Sequence, residues 1–178
     1  MKKLALIAIA FAALFSGMPQ ASADTKIGII DTRKIVEESL AGKSLAAQLK
    51  VRQEQLQKEA SAFEKKLKDE EQDIIAQRTK LKPEEFDAKK KAFEQEFMKS
   101  RQSIISKSSD LDTLRKNALA ELQKNMAKAS ADVADEKKLQ MIIDRQFVIL
   151  AQEDMDVTKE VMTKLDALVK TIPLGGKK

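Results

Sequence analysis

The sequence contains no cysteine, histidine, tryptophan or tyrosine, and only five glycines and three prolines interrupt its 178 residues. Without an imidazole or a thiolate, Ser-His-Asp and Cys-His catalysis and the ordinary zinc sites are excluded. A disulfide framework and thioredoxin-like redox chemistry fall with the same count. The glycines stand at positions 17, 28, 42, 175 and 176, so no GxxxxGK[ST] phosphate loop exists. Carboxylates still offer acid/base chemistry or a hard-cation site, and lysines can act as nucleophiles, so an enzyme is disfavoured without being excluded. No convergent carboxylate pair stands out, and neither a metal nor a cofactor is expected. Nucleic acid is not expected as a partner either: basic residues alternate with acids, and no Trp or Tyr is present for base stacking.

The N-terminus reads Met1-Lys2-Lys3, then an uncharged apolar run from Leu4 to Phe15, then the small triplet Ala21-Ser22-Ala23. A charged n-region, an apolar h-region and an A-x-A site together predict a secretory signal over residues 1–23, cleaved after Ala23. The apolar run is too short for a bilayer-spanning helix, which needs about 20 residues. Cleavage removes two lysines and no acid, so 31 basic residues then face 28 acidic ones and the net charge falls from +5 to +3. A secreted chain without thiols fits an oxidising periplasm.

Glycine is missing from residues 43–138, and Pro83 is the one proline there. Good helix formers fill that stretch. Leu49, Leu56 and Phe63 recur every seven residues, and Ala60, Leu67, Ile74 and Leu81 do so at an offset of four, which makes one a/d seam. After Pro83 the apolar residues Phe86, Phe93, Phe97, Ile104, Leu111, Leu114, Ala118, Leu122, Met126, Ala129 and Val133 follow by threes, fours and sevens. Pro83 suits a first helical position, and Glu84 and Glu85 suit the first turn, so a hairpin turning near Pro83 is expected. A single long helix kinked at Pro83 is the alternative.

The two ends of the chain differ in character. Ile27–Ile30 is a short apolar run, with Asp31 or Thr32 placed to cap a following helical turn. Met141–Ile143 and Phe147–Leu150 are two more apolar runs around Asp144-Arg145-Gln146, read as a strand pair. Asp156 offers an N-cap to an amphipathic helix that ends before Pro173. The fold class expected is therefore α+β: a small sheet and helix domain from residues 24–42 and 139–178, with a helical hairpin arm, 43–138, inserted between its halves. Three short strands and two short helices make a marginal core, and strands apolar on consecutive residues want cover on both faces. Oligomerisation through the small domain would supply that cover.

The order of these segments resembles the Skp/OmpH family of periplasmic chaperones over essentially the whole mature chain. The specific parts are Lys26-Ile27-Gly28-Ile29-Ile30-Asp31, Met141-Ile142-Ile143-Asp144 and the Asp156-Val157-Thr158 helix start; the coiled-coil middle is generic. The resemblance implies a homotrimer whose strands form a compact β-barrel, with three helical arms enclosing a cavity that holds unfolded outer-membrane β-barrel proteins without ATP. The trimer core would then draw on Ile27, Ile29, Ile30, Met141, Ile142, Ile143, Phe147, Val148, Ile149 and Leu150. Client contacts are expected from Phe63, Ile74, Phe86, Phe93, Phe97 and Ile104, although their seam spacing equally suits residues that zip the two helices together. Arg78, Lys80, Lys82, Lys89, Lys90 and Lys91 cluster near the turn, where they would attract anionic lipid or lipopolysaccharide, or simply face water. The sequence departs from the family in having no Tyr and in carrying Pro83-Glu84-Glu85-Phe86 at the turn. A structural coiled-coil spacer or tether of the cell envelope is the competing reading.

Overall fold

The computed structural model describes residues 25–175. The expected signal segment and its cleavage point lie outside the described residues. Strand β1 (Ile27–Ile30) leads into helix α1 (Thr32–Glu38), then α2 (Leu40–Gln77), α3 (Pro83–Lys137), strand β2 (Met141–Asp144) and helix α4 (Thr158–Leu168). Short 3-10 turns at Arg145–Phe147 and Glu153–Met155 link β2 to α4.

The caps show why the elements begin and end where they do. Asp31, in extended conformation, accepts the Lys34 N–H on its carboxylate and starts α1. Ser39 is fully buried and breaks α1 from α2, its Oγ accepting the Gly42 N–H at 3.1 Å. Gly42 is required at that break, because a Cβ there would stand 1.8 Å from the Val36 carbonyl oxygen. At the far end, α2 stops at Gln77 and the chain turns through residues 78–82. Pro83 then opens α3, with the Glu85 carboxylate reaching back to the Lys82 N–H and Glu84 beside it in the first turn. The chain forms a hairpin at Pro83, not a kinked helix. Its arms are 38 and 55 residues long, or roughly 57 and 82 Å at 1.5 Å per residue. Lys138 ends α3 in the left-handed region, φ 56°, a position usually given to glycine.

The strands β1 and β2 pair in parallel, Ile27 with Met141 through Ile30 with Asp144. On the other side of β1, the Val157 N–H donates to the Ile29 carbonyl at 2.9 Å, and Ile29 forms a parallel bridge with Asp156. The expected strand at Phe147–Leu150 is absent: its first residue ends a 3-10 turn and the rest is irregular. Asp144 Oδ1 accepts the Gln146 N–H and turns the chain out of the β2 direction, and no described strand lies beside 147–150 to pair with it.

The core lies where the small domain meets the base of the hairpin. Val157, Val161 and Leu165 of the α4 region pack with Ile30, Ile35, Ala41 and Leu45, and with the α3 face made by Ala118, Leu122, Met126, Ala129 and Val133. The α3 spacing of four, four, three and four keeps those five on one face. Each fully buried Leu or Ile in such a set contributes about 1.5–3 kcal/mol. Thr158 is buried as well, its Oγ1 accepting the Asp31 N–H at 2.9 Å, so the α4 start is tied to the end of β1.

Candidate functional site

Beyond the core the two helices leave as a bare pair. No described residue of α2 after Leu45 is buried, and none of α3 before Ala118. Along α2 beyond Leu49 the half-buried positions are Leu56, Ala60, Phe63, Leu67 and Ile74 together with Glu59, Glu70 and Gln77, and Leu81 continues them in the turn, which keeps the seam close to its 3-4 spacing. All six expected client residues, Phe63, Ile74, Phe86, Phe93, Phe97 and Ile104, sit half-buried on this seam. Their burial comes from the opposite arm, so a third object reaches only their outer edges.

One flank of the seam is laced by ion pairs. Glu59 meets Lys107 at 2.5 Å, Lys66 meets Glu96 at 3.0 Å and Asp73 meets Lys89 at 2.8 Å. The three α2 partners are spaced by seven and alternate in sign, and the α3 partners alternate in the opposite sense. Sliding one arm by a heptad would set like charges against each other, so the ladder selects a register. The bond from Lys107 holds the Glu59 carboxyl below its ordinary value, Lys89 does the same for Asp73 and Lys66 for Glu96, while Glu96 raises the Lys66 ammonium.

The other flank leaves three apolar side chains uncovered among charged residues that also follow seam positions, such as Glu64, Lys68, Asp87 and Glu94. Ile75, Met98 and Ile105 are 66%, 63% and 53% exposed, and each directly follows a seam residue. A helix turns about 100° per residue, so the residue before a seam position and the residue after it stand on opposite flanks. Asp73 and Glu96 precede Ile74 and Phe97 and belong to the ladder; Ile75 and Met98 follow them and face away from it. The doublets Ile74-Ile75, Phe97-Met98 and Ile104-Ile105 carried this signal in the sequence, but a seam reading assigns only the first member of each. Val51, on α2, is 63% exposed as well.

The basic cluster divides in the structure. Lys89 is engaged by Asp73 and by Gln77 Oε1 at 2.6 Å, and Lys90 lies 3.8 Å from Glu94. Arg78, Lys80 and Lys82 are exposed in the turn and Lys91 about two turns into α3, and none of them is in an ion pair among the described residues.

The expected trimer-core residues divide too. Ile29 and Ile30 are buried, Ile27, Ile142, Ile143 and Val148 half-buried, and Met141, Phe147, Ile149 and Leu150 are 54%, 76%, 104% and 90% exposed. Arg145 and Asp156 pair at 2.7 Å beside this apolar segment. Burial pushes the Asp156 carboxyl up, but the Thr158 hydroxyl and N–H, with Arg145, outweigh it and hold the group low. Among the described residues, no group of three or more carboxylates converges as a metal site, and no helix is long and apolar enough to cross a membrane.

A family model described as outer membrane protein, OmpH-like, matches residues 26–165, from the start of β1 into α4. The chain belongs to the OmpH-like family. The match covers the whole hairpin and reaches into both halves of the small domain. A solved structure from Caulobacter crescentus CB15, provisionally titled an outer membrane chaperone (OmpH-like), superposes on this OmpH-like chain with a TM-score of 0.80. It is 21% identical, and the match covers 93% of this chain and 98% of that one. At that identity the likeness speaks for the fold. A search of curated proteins finds no match.

Proposed function

We propose that this OmpH-like protein is an ATP-independent holdase chaperone of the periplasm, exported by a signal over residues 1–23, that keeps unfolded outer-membrane β-barrel proteins from aggregating. The observation that carries the reading is the one-sided arm: a charge ladder closes one flank and Ile75, Met98 and Ile105 stand open on the other. A spacer rod has no need of exposed apolar side chains along its length. A holdase needs many weak apolar contacts and no deep pocket. Three arms held together raise the local concentration of such contacts, so weak ones sum to firm holding. The assembly would be a homotrimer built on the small domain, in which Met141, Phe147, Ile149 and Leu150 are covered by neighbouring copies and complete a β-barrel with β1 and β2. Residues 24–42 and 139–178 serve as the trimerisation domain and 43–138 as the arm. Arg78, Lys80, Lys82, Lys90 and Lys91 would draw the arm tips to anionic lipid or lipopolysaccharide, while Lys89 is spent within the arm.

The test dilutes a urea-unfolded outer-membrane β-barrel into buffer without nucleotide and follows aggregation by light scattering. The wild-type protein is expected to suppress it, and the triple variant Ile75→Gln, Met98→Gln, Ile105→Gln to suppress it much less at unchanged helix content. Aggregation that proceeds unchanged at several-fold excess of wild type sinks the holdase reading. Loss of holding in Phe86→Ala, Phe93→Ala, Phe97→Ala without any fall in melting temperature would move the contacts back to the seam.

A further inference from the structure

Residues 169–175, which follow α4, pack back onto the roots of the arms. Val169 leaves the helix in extended conformation, and Ile172, placed before Pro173, is restricted to extended backbone. Ile172 is 3% exposed and belongs to the core cluster with Leu45, Ala118 and Leu122. The Gln48 side chain on α2 donates from Nε2 to the Ile172 carbonyl at 2.9 Å and accepts the Leu174 N–H on Oε1 at 3.2 Å. One amide thus pairs with the backbone on both sides of Pro173, as an adjacent strand would. The same Nε2 lies 3.3 Å from the Ser44 carbonyl and hydroxyl oxygens, which orients the Gln48 side chain. On its other side the segment borders Leu114, Asn117 and Ala118 of α3. It therefore touches both arms, at the level where burial stops on each.

We propose that residues 169–175 form a strap that binds the two arm roots together, with Gln48 as its latch, and that the arms pivot just beyond it, near Leu49–Leu56 on α2 and Leu111–Leu114 on α3. Fastened, the strap holds the root as part of the core. Released, it moves the pivot toward Leu45 and Ala118 and lengthens the free arm. The strap rests on the contacts at the root and does not depend on whether the arms carry a client.

Hydrogen exchange of the full-length protein, read by mass spectrometry, tests this on wild type, Gln48→Ala and Ile172→Ala. Losing the latch is expected to speed exchange about tenfold in peptides covering residues 46–56 and 112–120, while Leu122–Val133 and Val161–Leu165 keep their protection. Gln48→Ala removes a half-buried side chain and leaves the apolar core intact, so it reports on the latch even where Ile172→Ala destabilises the whole domain. Root peptides within about twofold of wild type in Gln48→Ala overturn the proposal, and so does a rise shared equally by Leu122–Val133, which would make the segment ordinary core.

Discussion

The sharpest consequence of the small domain concerns Ile149 and Leu150. Both stand almost wholly in solvent in the single chain, at 104% and 90% exposure, beside Phe147 at 76%. Burying an Ile or Leu side chain is worth about 1.5–3 kcal/mol, so the pair supplies about 3–6 kcal/mol per subunit and about 9–18 kcal/mol over three if an assembly covers them. At about 1.4 kcal/mol per factor of ten, the lower bound shifts the trimer equilibrium about six orders of magnitude. The concentration at which a trimer half dissociates varies as the square root of that constant, so it rises about a thousandfold. The double variant Ile149→Asp, Leu150→Asp, which also places charge in the interface, is therefore expected to be monomeric at micromolar concentration. Sedimentation or light scattering gives the mass, and far-UV circular dichroism checks that helix content is kept, since neither residue belongs to the intrachain core. A double variant that remains trimeric at low micromolar concentration refutes the interface, and a monomeric wild type refutes the trimer.

Three further outcomes follow from single contacts. Gly42→Ala forces a Cβ against the Val36 carbonyl at the α1–α2 break, and urea unfolding should show a loss of about 3 kcal/mol or more. Lys138→Gly relieves a left-handed residue at the end of α3 and should raise stability by about 1 kcal/mol in the same assay. Lys66→Glu sets a carboxylate against Glu96 and should lower the arm's melting temperature, with Glu96→Lys added to it recovering most of the loss. The ladder carboxylates also set a pH dependence. Their folded-state values lie below the ordinary 4.5 for Glu and 3.8 for Asp, so the stabilisation is complete above that range and is lost as pH falls through the lowered values. Thermal melts between neutral and acidic pH should show the wild-type advantage over Lys66→Ala shrinking toward the acid end.

The elements that depend on local rules were legible before the fold was seen. Asp31 as a cap, Pro83 with its two glutamates as a helix start, and the seam from Leu56 to Leu81 each act within a few residues, so periodicity and capping chemistry find them. The strand expected at Phe147–Leu150 failed for the converse reason. Apolar β-formers make a strand only where a neighbour offers a hydrogen-bonding edge, and no described strand of the single chain offers one there. The open flank was half visible, since Ile75, Met98 and Ile105 sit beside seam residues, but which side of the seam is laced depends on how two distant helices face each other.

By itself the sequence determined where α1 and α3 start, which residues meet along the arms, and that no thiol or imidazole chemistry is available; the α4 cap expected at Asp156 falls one residue later, at Val157, because Asp156 Oδ1 accepts the Thr158 N–H as a turn. Tertiary structure decided the rest through contacts distant along the chain. It set β1 between β2 and Asp156, assigned Lys89 to Asp73 and not to solvent, and clamped the residues around Pro173 with Gln48. Such pairings link residues as many as 127 positions apart, and no local propensity encodes which of many polar groups will be brought within reach of one another.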